Sequence, residues 1–189
     1  MRTGTIVRVA VVALAMTFAA SMASAQALNS GAQTIALNAT LAESLTLSLS
    51  ANAVNFTLSA GSAANPGSTG VTATTAWTLK PGRTSVGVYA YFASSAAALT
   101  DGAGNNIPSS AFKVSDNGGA STALTNTVAF GAATAGLQLG ASTAITGANK
   151  TGSRSDAMTF NIDLTGGTLP QLPAATYTGT LNIQAQATP

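Results

Sequence analysis

The sequence predicts an all-β chain folded as a single antiparallel β-sandwich, and three observations point there. In the last stretch, Thr176 to Ala187, the positions Tyr177, Leu181, Ile183, Ala185 and Ala187 share one parity, and Thr178, Thr180, Asn182, Gln184 and Gln186 share the other. That period of two belongs to a half-buried strand, with one face toward a core and one toward water. Several earlier segments repeat the pattern in Thr-, Ser- and Asn-rich form, as an antiparallel sheet with one solvated face requires. Turn-forming Gly, Pro, Asn and Asp clusters separate those segments.

Taken in order, Gln33 to Ala39 alternates through Ile35, Leu37 and Ala39, Leu45 to Leu49 through three leucines, and Val54 to Leu58 through Phe56. These read as three strands; a helix would need apolar residues every three or four positions and would lose stability to the intervening Ser and Thr. Gly61 to Gly70, with Asn65-Pro66-Gly67, reads as a surface turn. Val71, Ala73, Thr75, Trp77 and Leu79 share a parity up to the Lys80-Pro81-Gly82-Arg83 turn. The next strand, Ser85 to Phe92, carries Val86, Val88, Ala90 and Phe92 on one face and Tyr89 and Tyr91 on the other.

From Ala93 to Ala157 the pattern predicts short strands and long loops. The apolar stretches there are Ala111 to Val114, Val128 to Phe130 and Leu137 to Leu139. Regular alternation returns at Met158, Phe160, Ile162 and Leu164, and Gly166-Gly167 with Pro170 to Pro173 turns the chain into the closing strand.

The N-terminus predicts export. Arg2 and Arg8 precede an apolar run from Val9 to Ala20, and Ala23-Ser24-Ala25 is a small-residue cleavage site. Residues 1–25 are therefore expected to be a cleaved secretory signal and residues 26–189 one domain, secreted, periplasmic or on the cell surface, with no membrane span after cleavage. The formal charge of +2 belongs to that signal: without Arg2 and Arg8, five basic residues face five acidic ones. No clustered basic face argues for nucleic acid. Charged residues are 6% of the chain and hydrophobic ones 46%, which argues against disorder and leaves a surface that repels neighbouring copies weakly.

With no His and no Cys, imidazole-assisted serine catalysis, thiol chemistry, disulfides and nitrogen- or sulfur-ligated zinc are excluded. The carboxylates are scattered, and Asp156 and Asp163, seven apart on an alternating strand, point to opposite faces and make no acid/base pair. Gly147 to Arg154 lacks the lysine after its second glycine that a phosphate loop needs and reads as a hairpin loop. Asp101 to Asn106 lacks alternate acidic ligands and reads as an Asp-Gly turn. No enzyme, cofactor or metal site is expected. Tyr89, Tyr91 and Trp77 form the candidate interaction patch, on the reasoning that exposed aromatics mark binding surfaces.

Both ends of the chain resemble the spore coat protein U and archaic chaperone-usher pilus-subunit group. The run Ile35-Ala36-Leu37-Asn38-Ala39-Thr40-Leu41-Ala42-Glu43-Ser44-Leu45-Thr46-Leu47-Ser48, leading to Val54-Asn55-Phe56, is similar to that group's first strands, and Leu172-Pro173-Ala174-Ala175-Thr176-Tyr177-Thr178-Gly179-Thr180-Leu181-Asn182-Ile183 to its closing strand. The resemblance implies an incomplete immunoglobulin-like, pilin-like sandwich whose open edge accepts a strand from another copy or another surface subunit. The chain differs at Leu45, where the group commonly has a cysteine, and Gln26 to Ala32 is short and poor in large apolar residues for a donor strand. The expected function is an exported structural or interaction protein, a surface, pilus- or coat-like subunit. The alternative is a secreted carbohydrate- or protein-binding sandwich.

Overall fold

The structure is a computed structural model that describes residues 28–125, 127, 130 and 136–189. The signal expected over residues 1–25, its cleavage at Gln26, and Val128 and Ala129 of the apolar stretch lie outside the described residues. Two units are distinguished, Met1–Thr40 and Leu41–Pro189. In the first, residues 28–40 form no helix or strand and are exposed throughout, with Ile35 at 85% and Leu37 at 90%. The strand expected over Gln33 to Ala39 is therefore absent from this unit.

The second unit is all-β, with no α-helix among the described residues. Its strands are β1 (Ser44–Leu49), β2 (Asn65–Pro66), β3 (Val71–Thr78), β4 (Ser85–Phe92), β5 (Leu99–Thr100), β6 (Asn106–Ile107), β7 (Phe112–Asp116), β8 (Thr122–Ala123), β9 (Leu137–Ala144), β10 (Thr151–Ile162) and β11 (Leu181–Thr188). One antiparallel sheet runs β1-β3-β10-β7-β8, with β2 also on β10; the other runs β11-β4-β9, and β5 and β6 form a small ladder. The two larger sheets face each other across one core. Val71, Ala73, Phe112, Met158 and Phe160 come from the first, and Val88, Ala90, Phe92 and Leu139 from the second. Phe112 sits at its centre, its ring edge-on to Phe92 at 5.0 Å and to Phe56 at 5.7 Å.

β3 and β4 form where the alternation predicts them. The Lys80 to Arg83 turn between them, with Gly82 at φ 97°, carries the chain from one sheet to the other. β10 is the main departure. It runs twelve residues and starts at Thr151, because its first inward positions are Gly152, Arg154 and Asp156 and carry no apolar signal. Gly152 suits the close approach of the Trp77 ring, which a Cβ would meet at 3.0 Å. Asn65-Pro66-Gly67 is likewise not a free turn. Asn65, 1% exposed, donates to the Ile162 carbonyl at 2.8 Å and accepts from the Ser59 amide at 2.7 Å, and the Gly67 amide donates to the Phe160 carbonyl. Val54 to Leu58 forms no strand either: it makes an isolated Phe56–Gly67 bridge, and Asn55 exchanges hydrogen bonds with Ser68, accepting from its amide at 2.8 Å and donating to its hydroxyl at 3.1 Å. The closing strand begins at Leu181, later than its sequence pattern, after Thr178 has paired with Thr100. Gly179 permits that crossing, since a Cβ there would overlap the Ala98 carbonyl oxygen.

Candidate functional site

The sandwich is closed on one side and open on the other. The inward residues of β4 are sealed: Val88 and Ala90 are 0% exposed and Phe92 3%. Directly across the ladder, Leu181 pairs with Phe92 and Ile183 with Ala90, yet both stay only half-buried. The cause is topological. β11 pairs with β4 alone, so no strand among the described residues is hydrogen-bonded along its other edge, although at its C-terminal end the Ala187 carbonyl accepts from Arg83 Nη1 at 3.1 Å and Ala187 packs against the same apolar cluster as Leu45 of β1. Opposite that edge, Leu49, Val54, Phe56 and Leu58 are half-buried or exposed, and irregular chain occupies the place where a further strand would lie. Between the two lips lies an open cavity of about 850 Å³. Its floor is core: Val71, Phe92, Phe112, Met158, Phe160 and Ile162. Large apolar side chains that water reaches beside unpaired backbone groups make a surface suited to an added strand.

The second surface is the outward face of the β11-β4-β9 sheet. Tyr89 and Tyr91 project there, half-buried, as their parity predicts. Tyr89 meets Phe130 edge-on at 5.2 Å, and its ring lies along the strand over Gly87, where a Cβ would be 3.0 Å from it. The ladder places Gln184 and Gln138 on either side of Tyr89, and Asn182 beside Tyr91. Trp77 does not join them. It is 4% exposed, packs with Leu79, Val86 and Ile145, and donates its indole N–H to the Asn149 carbonyl at 3.0 Å. An indole on the inward parity of β3 is core, so the three-residue patch expected from the sequence reduces to the two tyrosines.

The third feature is a charged cluster inside the sandwich. Arg154 donates to both oxygens of Asp156, through Nε at 2.9 Å to Oδ2 and through Nη2 to Oδ1. It also donates to the Leu139 and Ala141 carbonyls of the opposite sheet at 3.2 and 2.7 Å. Those two carbonyls flank Gly140 at φ 61°, in the region where the β4-β9 register shifts. The bulge turns them toward the guanidinium. Asp116 lies beside this pair with Oδ1 buried and unpartnered. Its carboxyl is pushed above the ordinary range, first by burial and then by the Asp156 charge, against the partial compensation of Arg154. Asp163, on the other parity, pairs instead with Lys113 at 2.8 Å, so the two carboxylates of β10 and its end do not meet.

Asp116→Asn is expected to stabilise the fold at neutral pH. A carboxyl whose folded pKa exceeds its unfolded value is neutral in both states below the ordinary Asp value of about 3.9, where the charge costs nothing. The cost appears as pH rises through the window between the two values and is full above it. Urea midpoints of variant and wild type should therefore coincide in acid and separate, with the variant higher, toward neutrality. Equal separation at every pH would contradict the burial of this charge.

Asp101 to Asn106 is an Asx turn, as its sequence suggests: Asp101 Oδ1 accepts from the Ala103 and Asn105 amides at 2.8 and 3.0 Å. Among the described residues no helix is long and apolar enough to cross a membrane. No protein-family model and no curated protein sequence matches the chain.

Proposed function

We propose that the protein is an exported structural subunit, pilus- or coat-like, that assembles with further copies at the cell surface by strand donation. In this reading residues 33–41 of one copy lie along the free edge of β11 in the next, as the strand its sandwich lacks. The observation that carries it is the open apolar groove beside that edge. The donor segment has matching chemistry. Ile35, Leu37, Ala39 and Leu41 share one parity, no residue from Gln33 to Leu41 is charged, and Ile35, Leu37 and Leu41 are more than four-fifths exposed. The segment is nine residues long against the eight of β11, enough to pair along that strand as far as Ala187, whose carbonyl Arg83 already holds. Backbone bonds would supply adhesion and the alternate side chains the register. Gln26 to Ala32 need not serve as donor once Gln33 to Leu41 is free.

Size exclusion with light scattering tests the reading. The full chain is expected to form concentration-dependent oligomers, and Ile35→Asp/Leu37→Asp to run as monomer, because two charges would enter an apolar groove. These exposed positions leave the sandwich intact. A monomer at every concentration, or oligomers indifferent to both substitutions, defeats the proposal.

A further inference from the structure

The β11-β4-β9 sheet carries no Asp, Glu, Lys or Arg: its strands read LNIQAQAT, SVGVYAYF and LQLGASTA. Its outward face offers groups that both donate and accept. The hydroxyls of Tyr89 and Tyr91 and the carboxamides of Gln184 and Gln186 make no hydrogen bond within the described chain, and Gln184 is exposed. Gln138 bonds only within its own strand, to Gly140 and Ser142. The ladder sets Gln184, Tyr89 and Gln138 in a row across the sheet, with Tyr91 and Asn182 one step along the same face.

We infer that this face binds a neutral carbohydrate. Phosphate-bearing ligands need cations, which these three strands lack. A lipid surface needs continuous apolar area, which the amides interrupt. A polyhydroxylated ring matches both parts of the face: its C–H surface packs against a phenol ring, and its hydroxyls pair with carboxamides that act in both senses. Tyr89 is braced over Gly87 and against Phe130, which holds that ring in place before any ligand arrives. Tyr91 supplies the stacking ring and Gln184 the free amide.

Affinity electrophoresis of the purified protein in native gels containing hydroxyethylcellulose, glucomannan or galactan, with dextran sulfate as the charged comparator, tests this. Retardation is expected in at least one neutral gel, weakened about tenfold by Tyr91→Ala and by Gln184→Ala, and retained by Tyr91→Phe. Gln184 is exposed and unbonded, so its loss leaves the fold alone. The Ile35→Asp/Leu37→Asp variant should bind sugar as the parent does, which separates this result from the fate of the assembly reading. No retardation in any neutral gel, or retardation unchanged by Gln184→Ala and Tyr91→Ala, overturns the inference. So does a change of oligomeric state in those two variants in place of a change in retardation, which would assign the face to a second copy.

Discussion

Replacing Arg154 with methionine is expected to destabilise the sandwich by about 3–5 kcal/mol, the cost of stranding a buried charge. Asp156 is 1% exposed, and Arg154 supplies both of its ionic hydrogen bonds. Removing the guanidinium also leaves the Leu139 and Ala141 carbonyls without their donor and unties β9 from the opposite sheet. Removing both charges, Arg154→Met/Asp156→Leu, is expected to recover part of the loss. The recovery is incomplete because the two carbonyls still lack a partner, at about 1–3 kcal/mol for each that stays dry. Urea unfolding of wild type, both single variants and the double closes the cycle. If Arg154→Met falls within about 1 kcal/mol of wild type, the pair is hydrated and the interior position assigned to it is wrong.

The same cluster marks where the fold was hidden in the amino-acid sequence. β3, β4 and β11 announce themselves because their inward positions are apolar, and the parity that placed Tyr89 and Tyr91 outside was correct. β10 concealed its first half because Gly152, Arg154 and Asp156 occupy its inward positions, and such residues look like a loop until their partners on β9 are known. Trp77 misled for the converse reason: an aromatic is equally at home in a core, and only the parity of β3 discriminates. Ile35 to Ala39 and Val54 to Leu58 alternate as clearly as any strand, yet neither joins a ladder within its unit. Alternation reports a segment able to pair and bury one face. It does not report that a partner lies in the same copy, and that distinction is the basis of the assembly reading.

A peptide spanning residues 31–43 is expected to bind a variant lacking residues 1–40 and to raise its melting temperature by about 5–10 °C when present at a hundred times its Kd, a gain of about 2.7 kcal/mol. Magnitudes show why the receiving side matters. Burying Ile35, Leu37 and Leu41 contributes about 1.5–3 kcal/mol each, whereas ordering nine residues costs about 1–2 kcal/mol apiece in backbone entropy alone. The donor side chains therefore do not suffice. The balance must come from the ladder along β11 and from apolar surface that the groove already holds out of place, above all Leu181, Ile183 and Phe56. Ile183→Ala should accordingly weaken peptide binding more than it weakens the unbound sandwich, since the side chain is only half-buried until a strand covers it. Thermal melts and titration calorimetry, with a peptide carrying Ile35→Asp and Leu37→Asp as control, measure both effects. A shift produced equally by the control peptide, or none with the native one, would mean that the groove receives something other than this segment.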